Sequence, residues 1–255
     1  MTGDALVFVG REGTQDRKTL RTHADRLERR GLIEYAHVVM YGEESIRELR
    51  ERLGAIDAER AFVLPACVAH SHDTIDAIPA ALSSFGPEVR YCEPIGSCPA
   101  LTDLIMQRAS NRSPVESTLV LVALGSSSLP HHREMAECHA TRLRKRGAFT
   151  EIVTCYVLQN PAVECVRYNI PTDCAVVVPL FLSQNEITNT IPAKLELDRG
   201  GIEYTDSFGE DVRVTDAIHA EIARQRVLAD GASPFEGSSV EHSRRIATDG
   251  EGAYR

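Results

Sequence analysis

Three short patterns recur in this chain at one spacing. Ile78-Pro79-Ala80-x-Leu82 returns as Ile191-Pro192-Ala193-x-Leu195, and Thr102-Asp103 returns as Thr215-Asp216, each 113 residues on. The apolar run LVFV at 6–9 becomes LVLV at 119–122 with the same displacement. Two further echoes lie close to that register: RLERRG at 26–31 against RLRKRG at 142–147, and residues 62–65 against 176–179. Hydrophobic periodicity makes strands look alike in any two α/β domains, but it does not generate a shared Ile-Pro-Ala or Thr-Asp. The chain is expected to be a duplicated domain.

Within each copy, strand-sized apolar runs alternate with amphipathic, charged segments, the rhythm of βαβ units and a parallel sheet. In the first copy the pattern predicts strands over 6–10, 33–41, 61–68 and 89–92, and helices over 16–30, 45–53, 74–82 and 99–108. Gly31 is a natural stop for the first helix. SNRSPVES, 110–117, is polar with a proline and reads as a linker. The expected fold is α/β: two tandem, similar domains, 1–112 and 113–230, each a four-stranded parallel sheet flanked by helices. The Gly-, Ser- and charge-rich remainder, 231–255, is expected to be a disordered tail. Parallel sheets take ligands beyond the carboxyl ends of their strands, and domain junctions favour pockets. The two copies should therefore face each other across a cleft.

Composition narrows the function. The formal charge is −9, and only Lys18, Lys145 and Lys194 among the 28 cations are lysine. Nucleic-acid binding rests on a basic footprint, which this chain lacks, so no nucleic-acid partner is expected. No apolar run approaches the roughly 20 residues of a membrane-spanning helix, and the N-terminal stretch lacks a secretory pattern. A soluble, cytoplasmic protein with no membrane partner is expected. Seven scattered cysteines without a C-x-x-C pair read as reduced thiols, not as a disulfide framework or a zinc site.

The side chains that draw attention sit at predicted strand ends. His70 and His72, with Asp73 beside them, occupy the connection between a buried strand and the first Ile-Pro helix. They either cap the helix and meet water or grip a ligand. Neutral imidazole is a good ligand for borderline divalent metals, and a helix N-terminus favours the neutral ring. Asp73 would orient His72 through a hydrogen bond. Glu186 stands before the second Ile-Pro helix, where the helix dipole favours a carboxylate whatever its role. The backbone amides of Gly125-Ser126-Ser127-Ser128 are placed to cradle an anion, without the lysine of a nucleotide P-loop. His131 and His132, at a helix start, are held in reserve.

From about 5 to 229 these pieces resemble, in order, the sirohydrochlorin chelatases of cobalamin and siroheme synthesis, in their tandem two-domain form. The resemblance is carried by "VLPACVAHSHDTIDAIPAAL" and "VVPLFLSQNEITNTIPAKL", by the opening turns "LVFVGREG" and "LVLVALGSS", and by "EPIGSCPALTDLI". It implies two chelatase-like domains in a monomer with internal pseudo-twofold symmetry. It implies a metal chelatase, with a small-molecule tetrapyrrole as substrate partner, no prosthetic group, and a divalent ion as the second substrate: cobalt first, with Fe2+ and Ni2+ the alternatives. Carried onto this sequence, the family pattern makes His72 and Glu186 catalytic and His70, His72 and Glu186 the metal ligands. It leaves Arg11, Ser126 and Ser127 to bind substrate. The pattern is broken at Arg11 and Leu124, where the family has a first-turn histidine. It is broken again at Met40 and Val157, near its glutamate position, although Glu43 and Glu44 lie close by. The alternative expectation is a catalytically reduced relative that binds a tetrapyrrole or metal ion without inserting it.

Overall fold

The computed structural model describes residues 3–42, 45–112, 117–172 and 174–231. Glu43, Glu44, the middle of the 110–117 linker and the tail from 232 onward lie outside the described residues. The first half runs β1 (Asp4–Arg11), α1 (Arg17–Arg29), β2 (Tyr35–Tyr41), α2 (Ser45–Leu53), β3 (Arg60–Pro65), α3 (Ile78–Leu82), β4 (Glu88–Tyr91) and α4 (Pro99–Ser110). The second runs β5 (Thr118–Ala123), α5 (His131–Arg144), β6 (Glu151–Tyr156), α6 (Val166–Asn169), β7 (Ala175–Pro179), α7 (Glu186–Lys194), β8 (Ile202–Tyr204) and α8 (Val212–Gly231). The two sheets have matching orders, β2-β1-β3-β4 and β6-β5-β7-β8, and every pairing is parallel. The repeat in sequence is thus a repeat in topology.

Strand alternation decides where each sheet is covered. Leu6, Phe8, Phe62 and Leu64 point to the same interior as Leu119, Leu121, Val176 and Val178, and the apolar faces of α1, α4, α5 and α8 fill the space between. The halves therefore share one continuous core. The opposite faces, with Val7 and Val63 in one sheet and Val120 and Val177 in the other, pack against α2 and α3 or against α6 and α7. At the carboxyl ends of the strands the shared core opens into a cleft.

The Ile-Pro turns differ between halves by one residue. Counting from Pro65 to Pro79 gives one position more than from Pro179 to Pro192. In the second half α7 starts cleanly, with Asn185 as N-cap and Thr188 completing a capping box. In the first, the extra residue is taken up by a π-helical turn, Asp73–Ala77, that runs into α3. Single-residue insertions are absorbed in this way when both flanks are fixed by packing, and Thr74 and Ile78 here are both buried.

The contact between halves is reciprocal. His23 on α1 is fully buried, with Nδ1 2.9 Å from Thr215 Oγ1 and Nε2 3.0 Å from the Gly209 carbonyl. His139 on α5 repeats this with Thr102 Oγ1 at 2.8 Å and the Gly96 carbonyl. Arg30 pairs with Asp216 at 2.7 Å and Arg146 with Asp103 at 2.7 Å. Arg26 and Arg142 donate to the carbonyls of Glu210 and Ser97. Each half thus grips the Thr-Asp pair of the other, the arrangement of an isologous interface. The repeated Thr-Asp is there because both copies need the same pair: a hydroxyl that donates to the histidine Nδ1 and a carboxylate that accepts from the arginine.

Candidate active site at the junction of the halves

The cleft has a volume of about 230 Å3 and is walled by both halves: Val9 and Arg11 from β1, Tyr41 from β2, residues 66–69 after β3, Leu124 after β5 and residues 180–182 after β7. Its lining is mainly apolar. A second cavity of about 250 Å3 adjoins it, lined by His70, His72, Leu124, Gly125, Ser126, Ser127, Leu129 and His132. Leu124 and His132 belong to both walls.

His72 reaches across the junction. Its Nε2 lies 2.9 Å from Ser128 Oγ in the loop after β5, and the side chain is otherwise exposed. The reciprocal contact in the other direction is Asn185 Nδ2 donating to the Thr14 carbonyl at 3.0 Å. Each second turn is therefore tied to the first turn of the opposite half.

His70 is engaged at both ring nitrogens, by Thr74 Oγ1 at 3.0 Å and Glu93 Oε2 at 2.8 Å. Its ring stands edge-on to His131 at 5.5 Å. His131 in turn faces Glu134 at 3.6 Å. Glu186 is exposed at the start of α7, between the cleft-lining Asn185 and Ile187. His70, His72 and Glu186 thus do not form the ready-made ligand set expected from sequence. Among the described residues no group of three or more His, Cys, Asp or Glu side chains is placed to hold an ion. The reason is local: His70 is already engaged by Thr74 and Glu93, and His72 by Ser128.

Three further expectations change. Asp73 does not orient His72; it accepts from Arg11 Nη1 at 2.9 Å and Tyr41 Oη at 3.1 Å. Arg11 therefore lines the cleft with its charge already paired, although its side chain is half-exposed. Ser126 spends its hydroxyl on the amides of Ser128 and Leu129, and its own amide on Gln159 Oε1. The turn holding Ser126 and Ser127 is thus closed on itself, with three of its amides already used. Gly125 allows this packing: at φ 80° it is left-handed, and a Cβ there would meet Gln159 and Tyr156 at 2.7 and 2.8 Å.

Burial sets the protonation of the remaining groups. It pushes the His132 imidazole down to about 4, with His131 adding to the shift, so the ring is neutral at ordinary pH. It pushes the Cys67 thiol in the cleft wall up to about 12, so that sulfur stays protonated. All seven cysteines are free, as their spacing predicts.

The sequence underweighted His132, and it assigned no role to His23 or His139. A signal for the last two exists. HADRLERRG at 23–31 matches HATRLRKRG at 139–147, extending the recognised echo upstream through both histidines.

This architecture recurs among known proteins. SirB from Bacillus subtilis, solved with Fe3+, superposes with a TM-score of 0.68 at 18% identity, over 91% of this chain and 98% of SirB. CbiX, the terminal enzyme for biosynthesis of siroheme in denitrifying bacteria, gives 0.66 at 22% identity, over 86% and 98%. A multi-domain protein of Deinococcus radiodurans with structural similarity to chelatases gives 0.63 at 21% identity; 86% of this chain matches, and it spans 54% of that protein's length. The fold is that of the two-repeat chelatases. In sequence, the CbiX profile matches residues 5–112 and again 118–225, and the chain belongs to the CbiX family. A curated relative, the "probable sirohydrochlorin cobaltochelatase" of Halobacterium salinarum, is 26% identical over 88% of each chain. No helix among the described residues is long and apolar enough to cross a membrane.

Proposed function

We propose that this protein inserts a divalent metal ion, cobalt first, into sirohydrochlorin or a closely similar tetrapyrrole, and that 1–112 and 113–230 act as one unit in doing so. The observation that carries this is the position of His72. It stands beyond the carboxyl end of β3, spans the junction of the halves, and lines a cavity that shares Ser71, Leu124 and His132 with an apolar cleft. The cleft suits the edge of a flat macrocycle, whose many carboxylates would remain in water. Insertion exchanges one divalent ion for two pyrrole protons, with no change of oxidation state. It requires a ligand that releases the ion and a base or water that takes the protons. His72 fits the first task, because among the described residues its tie is a single hydrogen bond to a serine hydroxyl. Glu186 adds negative charge between two cleft-lining residues.

Anaerobic incubation with sirohydrochlorin and Co2+, Fe2+ or Ni2+, followed by absorption, tests the reading. The wild type should convert the free macrocycle to the metallated form faster than a protein-free control. His72→Ala should slow this at least tenfold without loss of fold, because the exposed ring packs against little. Insertion by His72→Ala at the wild-type rate would place the metal elsewhere.

A second reading is supported by Arg11, which stands in the turn where the family carries a histidine and is paired with Asp73. In it the protein binds a tetrapyrrole without inserting metal. Binding of sirohydrochlorin with no metallation under any of the three ions is its signature.

A further inference from the structure

We propose that His132 is the second metal-handling imidazole of this cleft, supplied from α5 in place of the side chain that Leu124 does not provide. The inference rests on the chelatase reading above and goes beyond it by naming a residue outside the strand-end turns.

Leu124 occupies the first turn of the second half, immediately after β5. A leucine there offers no lone pair. His132 and Leu124, with Ser71, line both the cleft and the cavity that contains His72. His132 is only 7% exposed, yet no hydrogen bond among the described residues engages its ring, and its Nδ1 is buried without a partner. An imidazole in that state has its coordinating capacity unspent. The other histidines nearby differ. His70 is held by Thr74 and Glu93, and His131 faces Glu134.

The first half shows that the fold does not need an imidazole at this place. Aligning HADRLERRG with HATRLRKRG puts Asp16 opposite His132. Asp16 is an ordinary N-cap, accepting from the amides of Lys18 and Thr19. The same position is thus met by a self-satisfied cap in one half and by an unsatisfied ring in the other. His72 from the first half and His132 from the second then border one cavity, with His70, the third imidazole on its wall, already held at both nitrogens. Two protein ligands leave most of the coordination sphere of an ion open, as release to a macrocycle requires. The ion keeps its oxidation state throughout, and two pyrrole protons leave as it enters the macrocycle.

The test compares wild type, His132→Phe and the double variant Leu124→His/His132→Phe. Each is measured for Co2+ binding to the protein alone, for Co2+ insertion into sirohydrochlorin, and for thermal midpoint. Phenylalanine keeps the ring volume and removes both nitrogens, so His132→Phe should melt at or above the wild-type temperature. Its Co2+ affinity and its insertion rate should each fall at least tenfold. Leu124→His should restore most of both by returning an imidazole to the first turn. If His132→Phe inserts cobalt like an active wild type, the inference is overturned and the chelatase reading stands. If the wild type inserts no metal, that reading fails, and Co2+ affinity decides: equal binding by wild type and His132→Phe overturns the role of His132. Should His132→Phe not fold, His132→Asn replaces it, with the same tenfold losses expected and the same result overturning the proposal.

Discussion

Acidification should loosen the grip between the halves, and His139 sets the scale. Its ring is fully buried, with Thr102 on one nitrogen and the Gly96 carbonyl on the other. Burial is the main reason its pKa falls to about 4; the Gly96 carbonyl opposes the shift, and the Arg142 charge reinforces it. In the unfolded chain an imidazole titrates near 6.5. Between those values the unfolded state binds more protons than the folded one, so stability rises with pH across that window. The contribution is fully present above about 6.5 and is lost as pH falls toward about 4. The full gap corresponds to about 3 kcal/mol, of which about 2 kcal/mol is gone by about pH 5. His23, its counterpart on α1, is lowered for the same dominant reason and adds in the same direction. The assay is urea unfolding of wild type and His139→Gln between about pH 5 and pH 7.5. At neutral pH the variant should be weaker by about 1–3 kcal/mol, because Thr102 and the Gly96 carbonyl lose their shared partner. The decisive quantity is the difference in slope. Groups common to both proteins cancel, and the variant should show about 2 kcal/mol less loss on going from neutral to about pH 5. Equal slopes would mean that His139 is not the neutral, desolvated group described here.

Gly96→Ala should destabilise by about 3 kcal/mol in urea, since overpacking at this severity has no soft neighbour to yield: the added Cβ would sit 1.8 Å from the Val68 carbonyl oxygen. Arg30→Ala should lower stability by no more than about 1 kcal/mol, because its pair with Asp216 is partly exposed on both sides. A loss from Arg30→Ala matching that of His139→Gln would show that ion pairs, not the buried histidines, hold the halves together.

What was legible in the sequence followed from burial on both faces of a parallel sheet. Residues 6–9, 62–64, 119–122 and 176–178 are apolar without a break because each strand is covered on two sides, and that marks them whatever surrounds them. The Thr-Asp repeat was visible as a match but not as a contact, because its partners lie on a helix 186 or more residues away in one direction. Spacing along the chain carries no record of such a pairing. His70 and His72 were legible as junction residues because they follow a buried strand. Their rotamers were not, since Glu93 and Ser128 come from separate loops and obey no local rule.

The two Ile-Pro turns show how far counting can go. Measured from the end of the preceding strand, His72 corresponds to Glu186; measured back from the proline, Asp73 does. Sequence alone leaves both alignments open, because an inserted residue has no address until something absorbs it. The π-helical turn supplies that address, between Asp73 and Ala77. Upstream of it the strand register holds, so His72 stands where Glu186 stands and meets the opposite half through Ser128. Downstream the proline register holds, so Ile78 and Ile191 fill equivalent places in their cores. Asp73, caught between the registers, turns away to Arg11 and Tyr41. One added residue therefore gives the first half two side chains, His72 and Asp73, where the second half has Glu186 alone. It frees a histidine for the junction and gives the neighbouring carboxylate to the charge in the cleft wall.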